Sequence, residues 1–130
     1  MKLGYTILYV SDVERTVSFY EEAFGLSRRF VHESGSYAEL VTGETTLAFA
    51  AHDLAEANFQ TSYRRTDPGE PPPAFEIALV TEDVAAVFER SIEAGAEPLA
   101  EPEQKPWGQT VAYVRDVDGV VVELCTAVDR

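Results

Sequence analysis

Apolar positions along this chain change period in a regular order. Val13, Val17, Tyr20 and Phe24 fall four, three and four residues apart. That spacing makes one apolar stripe on an α-helix. Val84, Val87, Phe88 and Ile92, three, one and four residues apart, form a second stripe about seventy residues later. Ser11 is placed to cap the first helix, with Glu14 three residues on completing a capping box, and Thr81 is placed to cap the second. Gly25 and Gly95 supply the left-handed residue that ends each. Before each helix lies a short β-rich run, and after each come three more. In the first half these are Arg28–Glu33, Tyr37–Thr42 and Thr45–Ala51, with turns at Ser34–Gly35 and Gly43–Glu44. In the second half they are Pro98–Glu101, Thr110–Arg115 and Val120–Thr126, with a hairpin signal at Asp118–Gly119.

Each half therefore reads β-α-β-β-β, and the segments Ile7–Gly25 and Ile77–Gly95 align at an offset of 70. The expected fold class is α+β: two β-α-β-β-β modules forming a cup-shaped mixed sheet with helices outside. One domain is expected, with module 1 at about 1–52, a connection at 53–73 and module 2 at about 74–130. The connection is polar, ends in Pro71–Pro72–Pro73, and has a short helical turn expected at Asp53–Phe59. Connections of that length inside a domain are usually functional or mobile.

Strand alternation then assigns faces. Phe75, Ile77 and Leu79 suit packing under a helix, which leaves Glu76, Ala78 and Val80 opposite. Val120, Val122 and Leu124 leave Val121, Glu123 and Cys125, while Leu47, Phe49 and Ala51 leave Thr46, Ala48 and Ala50. On the first strand Tyr5, Ile7 and Tyr9 oppose Thr6, Leu8 and Val10. The faces away from the helices combine small residues, tyrosines and two carboxylates, and a wall of small side chains leaves room for a ligand.

Composition narrows the partners. Among 130 residues, 23 Asp and Glu against 10 Lys and Arg give a net charge of −13. Such a surface does not neutralise phosphates, so neither a nucleic acid nor an anionic membrane is an expected partner. An acidic surface enriches cations, including cationic small molecules. One cysteine, Cys125, excludes an internal disulfide and a cysteine-rich zinc site, and its apolar setting suggests a packed thiol. No apolar stretch approaches the ~20 residues of a membrane span. The N-terminus lacks the pattern of a signal peptide, and a cytoplasmic protein is expected. His32 and His52 converge with no nucleophile in the sequence; they read as a strand residue and a loop residue. Arg64–Arg65 reads as a solvated pair in the connection.

The repeat, the run ILYVSDVERTVSFYEEAFG and the tail KPWGQTVAYVRDVDGVVVEL together resemble the vicinal oxygen chelate superfamily. This is the glyoxalase, bleomycin-resistance and extradiol-dioxygenase group. The resemblance covers about Leu3 to Thr126, and its most specific part is the tail with Trp107–Gly108, Asp116, Asp118–Gly119 and Glu123. It implies paired modules whose curled sheets form a cup, and a homodimer. In metal-dependent members one ligand stands on the first strand of each module and one on the last. The matching positions are Tyr5, Ala48, Glu76 and Glu123. Alanine has no donor, and two carboxylates without imidazole hold a first-row metal poorly. No metal and no other cofactor is therefore expected, with a divalent ion as the disfavoured alternative.

The leading expectation is a metal-free binding protein of the bleomycin-resistance type, sequestering a cationic or aromatic organic ligand in the cup. Candidate ligand-binding residues are Tyr5, Tyr9, Ala48, Glu76, Trp107, Tyr113 and Glu123. The alternative is a glyoxalase- or dioxygenase-like enzyme, a lyase or isomerase, with an atypical metal site or with Glu76 or Glu123 as catalytic acid and base. A third reading leaves the cup vestigial in a structural or regulatory protein.

Overall fold

An aspartate starts each of the two long helices, one or two residues after the hydroxyl side chain that the sequence offered as cap. In the computed structural model, which describes residues 1–128, β1 (Tyr5–Val10) leads into α1 (Val13–Phe24). Asp12 keeps an extended backbone, and its carboxylate accepts the Arg15 N–H at 3.1 Å. Ser11 is left outside the helix. In the second junction β5 (Glu76–Val80) leads into α3 (Val84–Glu93). There Asp83 accepts the Ala86 N–H at 3.0 Å. Thr81 supports that cap by accepting the Asp83 N–H at 3.2 Å.

The caps correct the repeat. Asp12 and Asp83 are 71 residues apart, as are the strand starts Tyr5 and Glu76. At Gly25 and Gly95 the offset is 70, because the second segment reaches its glycine one residue sooner. Both glycines have positive φ, 69° and 116°.

Contacts divide the chain into two compact units: Met1–Glu21 with Gly25–Thr66, and Glu22–Phe24 with the chain from Asp67 on. The expected connection at 53–73 is thus shared between them, and its first part is ordered as α2 (His52–Phe59). Positions 129 and 130 of the expected second module lie outside the described residues.

The first unit adds β2 (Ser27–Val31), β3 (Tyr37–Val41) and β4 (Thr46–Ala51). Its sheet has the order β1-β4-β3-β2. β1 and β4 run parallel, with Tyr5 opposite Thr46 and Ile7 opposite Ala48. The other pairs are antiparallel, and β2 carries a bulge between Arg28 and Phe30. Leu8 and Val10 are buried while Tyr5, Ile7 and Tyr9 are exposed, as alternation requires. Val13, Val17 and Tyr20 of α1 are buried, and the Tyr20 ring lies 5.0 Å from that of Phe49 on β4. Thr46 through Ala50 are all buried, so β4 is covered on both faces.

The second unit adds β6 (Glu97–Gln104), β7 (Thr110–Arg115) and β8 (Val121–Cys125), in the order β5-β8-β7-β6. β5 and β8 are parallel, the rest antiparallel. β6 is longer than the expected Pro98–Glu101 because its ladder continues past two irregularities. Edge placement tolerates Pro98 and Pro102. Val84, Phe88 and Ser91 of α3 are buried, as are Val114, Val122 and Leu124 of the sheet.

Buried Arg115 ties the start of this unit to its last hairpin. Its guanidinium donates to the carbonyls of Gly119, Pro68 and Asp67 at 3.0, 3.2 and 3.2 Å. Gly119 has φ 97°, and a Cβ there would come within 2.8 Å of Arg115 Nη2. Glycine is required on both counts. Each unit is an open mixed sheet with α and β elements, the α+β class expected. Among the described residues no helix is long and apolar enough to cross a membrane.

A side-chain cap satisfies a backbone N–H that the helix itself cannot pair. Asp12→Ala and Asp83→Ala are each expected to lower unfolding free energy by about 1 kcal/mol. Urea titration measures this, and Ser11→Ala changes little by the same assay.

Candidate ligand-binding site

On the second unit, strand alternation brings Glu76, Glu123 and Tyr113 to one face. Glu123 stands opposite Tyr113 across β7 and opposite Ala78 across β5. Tyr113 donates its hydroxyl to Glu123 Oε1 at 3.0 Å. Glu76, the exposed first residue of β5, lies near Glu123 on that face. Desolvation, then hydrogen bonding to Glu123, then its charge push Glu76 from its ordinary 4.5 up to about 7. No ion pair reaches either carboxyl among the described residues.

The same carboxylate shapes its neighbours. Burial first, and then hydrogen bonding to Glu123, push the Tyr113 phenol and the Cys125 thiol up to about 12 and about 11. Cys125 therefore stays a thiol at neutral pH, in keeping with its buried place. Trp107 lies in the turn before β7. It is exposed, and its indole N–H donates to Gln109 Oε1 at 2.6 Å.

On the first unit Tyr5 and Tyr9 project from the exposed side of β1. Ala48 is fully buried on β4, opposite Ile7 and Glu39. Three residues that sequence reasoning missed build a polar network here. Tyr37 donates its hydroxyl to Glu39 Oε2 at 2.8 Å. Arg29 Nη1 donates to Glu39 Oε1 at 3.1 Å and to Thr46 Oγ1 at 3.2 Å. Burial, then the bond to Glu39, push Tyr37 up to about 12. The available signal was alternation on β3, which puts Tyr37 and Glu39 on one face.

Tyr9 belongs to an aromatic cluster rather than to an open wall. Its ring lies 5.2 Å from Tyr63 and 6.1 Å from Phe59. His52, expected as a loop residue, is buried at the start of α2 and hydrogen-bonded to Tyr63. His32 is exposed just past β2, bonded to Ser34 Oγ at 2.7 Å. Arg65 of the basic pair is held by Glu56 at 2.6 Å.

The ladders show how the two units correspond. Tyr5 and Glu76 begin the parallel pairing, and Ala48 and Glu123 take the same position on the last strand. Glu39 and Tyr113 stand opposite that last-strand position. The four positions thus offer a phenol, a methyl group and two carboxyls. Among the described residues, no three His, Cys, Asp or Glu side chains form a group that could hold a metal ion.

The sequence profile of the Glyoxalase/Bleomycin resistance protein/Dioxygenase superfamily matches residues 2–124. The chain is similar to uncharacterized protein YraH of Bacillus subtilis, 27% identical over 125 residues, covering 95% of this chain and 97% of that one. It is similar to lactoylglutathione lyase of Escherichia coli O157:H7, 30% identical over 129 residues, covering 95% and 91%. A solved glyoxalase-related enzyme from Fulvimarina pelagi shares the fold at a TM-score of 0.83 and 22% identity, covering 98% of this chain and 88% of that chain.

The carboxyl pair has a consequence for stability. Glu76 ionises less readily in the folded protein than in the unfolded chain. Its folded state is therefore favoured at low pH and loses that advantage as pH rises from about 4.5 to about 7. Glu76→Gln removes the loss. The urea midpoint of the variant is expected to gain on that of the parent between pH 5 and pH 8. Parallel pH profiles for the two proteins would contradict the raised pKa of Glu76.

Proposed function

Since the chain belongs to the Glyoxalase/Bleomycin resistance protein/Dioxygenase superfamily, we propose that it is a metal-independent binding protein of the bleomycin-resistance type for a small cationic, aromatic molecule. The observation that carries this reading is the carboxyl pair of Glu76 and Glu123. It lies on an otherwise apolar strand face with no ion pair of its own among the described residues. Crowding two carboxyls costs free energy when both ionise. A ligand ammonium group placed against them offsets that cost and favours the ionised form of Glu76. Tyr113 holds Glu123 in place through its hydroxyl and presents a ring to the cation.

The metal of the metal-dependent relatives does not fit these residues. Ala48 supplies no donor, and Tyr5, Glu76 and Glu123 lack the imidazole that suits first-row ions. In this reading the protein works as a homodimer, in keeping with the exposed apolar side chains of Leu3, Tyr5 and Ile7 along or just before edge strand β1.

One observation favours an enzyme instead. A carboxyl poised at about 7 is matched to proton transfer at neutral pH. The reading is then a lyase or isomerase in which Glu76 and Glu123 exchange a proton with substrate.

Calorimetric titration of chelator-treated protein with bleomycin and with tryptamine separates these readings. Binding is expected to persist in chelator and to weaken about ten- to hundredfold in Glu123→Ala, the scale of a hydrogen bond to a charged group. Binding that needs an added divalent ion, or none across such compounds at high micromolar concentration, would sink the proposal. Turnover that Glu123→Gln abolishes while binding is kept would favour the enzyme.

A further inference from the structure

His52 and the segment that follows α2 take no part in the function proposed above. His52 is 7% exposed. Its Nδ1 lies 2.6 Å from Tyr63 Oη, and the two rings stack at 5.7 Å between centroids. The Tyr63 ring also lies 5.9 Å from Phe59 and 5.2 Å from Tyr9. Rings at these separations attract one another. The chain from Phe59 to Tyr63 is therefore pinned against β1.

The reversal that returns the chain is made at Gln60, the one non-glycine residue with positive φ (55°) among the described residues. Its N–H closes α2 on the Glu56 carbonyl at 3.1 Å. The result is a groove of about 350 Å³ lined by Glu56, Gln60, Thr61, Ser62 and Tyr63, a volume at the small end of ligand sites. Tyr63 contributes an aromatic wall. Gln60, Thr61 and Ser62 contribute an amide and two hydroxyls. The Glu56 carboxylate is already neutralised by Arg65 at 2.6 Å, so the rim does not call for a charged ligand.

We propose that this groove binds a planar, uncharged aromatic group bearing hydrogen-bonding substituents, and that His52 is the positioning residue that fixes the Tyr63 ring against it. The site lies within the first unit and uses none of the residues of the carboxyl pair, so it stands independently of the function proposed above. Burial, then the charge of Glu56, raise the Tyr63 phenol above its ordinary value. The hydroxyl therefore remains a neutral partner for His52 at physiological pH.

The test is an amide-resolved NMR titration of the full chain with 2-naphthol, and with cyclohexanol as a non-planar control. Saturable shifts of the amides from Phe59 to Tyr63 are expected with 2-naphthol and not with cyclohexanol. Tyr63→Ala is expected to weaken 2-naphthol about tenfold, the scale of one aromatic contact. His52→Leu weakens it as well, and His52→Asn, whose amide can reach the same phenol, restores it. Glu123→Gln leaves it unchanged, which separates this site from the carboxyl pair. Shifts confined to other residues, no shifts at millimolar 2-naphthol, or undiminished binding by a folded Tyr63→Ala protein would each overturn the proposal. Should Tyr63→Ala fail to fold, the shift map of the unaltered protein decides alone.

Discussion

Parallel pairing of the first strand with the last, made once in each unit, is the constraint on which the rest depends. It inserts β4 between β1 and β3, and β8 between β5 and β7. Each last strand then has neighbours on both sides and a helix-facing side of buried apolar residues. Its remaining face is where small or functional side chains can stand. A slip of one residue would exchange the two faces entirely. The aspartate caps guard against that slip, because Asp12 and Asp83 fix where each helix leaves its strand.

The two units use the same frame for different electrostatics. In the first, the last-strand position is Ala48, and the carboxylate stands across the ladder at Glu39. Arg29 neutralises it, and Tyr37 donates to it. In the second, the last-strand position carries Glu123 itself, with Tyr113 as donor and Glu76 nearby. No arginine answers this pair among the described residues. The first arrangement is a closed network whose charges are met. The second retains an acidic group whose ionisation is opposed by its neighbour. The segment after the first sheet adds a separate, aromatic chemistry. There His52, Tyr63, Phe59 and Tyr9 turn part of the expected connection into a packed wall.

The sequence alone determined the order of elements, the helix stripes, the left-handed glycines, the faces of the strands and the family resemblance. These depend on local periodicity and on backbone conformations that few residues adopt. Only the tertiary structure chose between adjacent capping residues, since Ser11 and Asp12 are both competent and the end of β1 decides. Strand parity placed Glu76 and Glu123 on the faces away from the helices, but their nearness depends on the register of β5 against β8. Arg29, Tyr37 and Glu39 went unseen as a network because Arg29 reaches Glu39 and Thr46 from a different strand. His52 is buried through a tyrosine eleven residues away, across a turn with no periodic signal. Periodicity records which side of an element is apolar. It carries no information on which polar groups meet, because that is set by register and by the path of irregular chain.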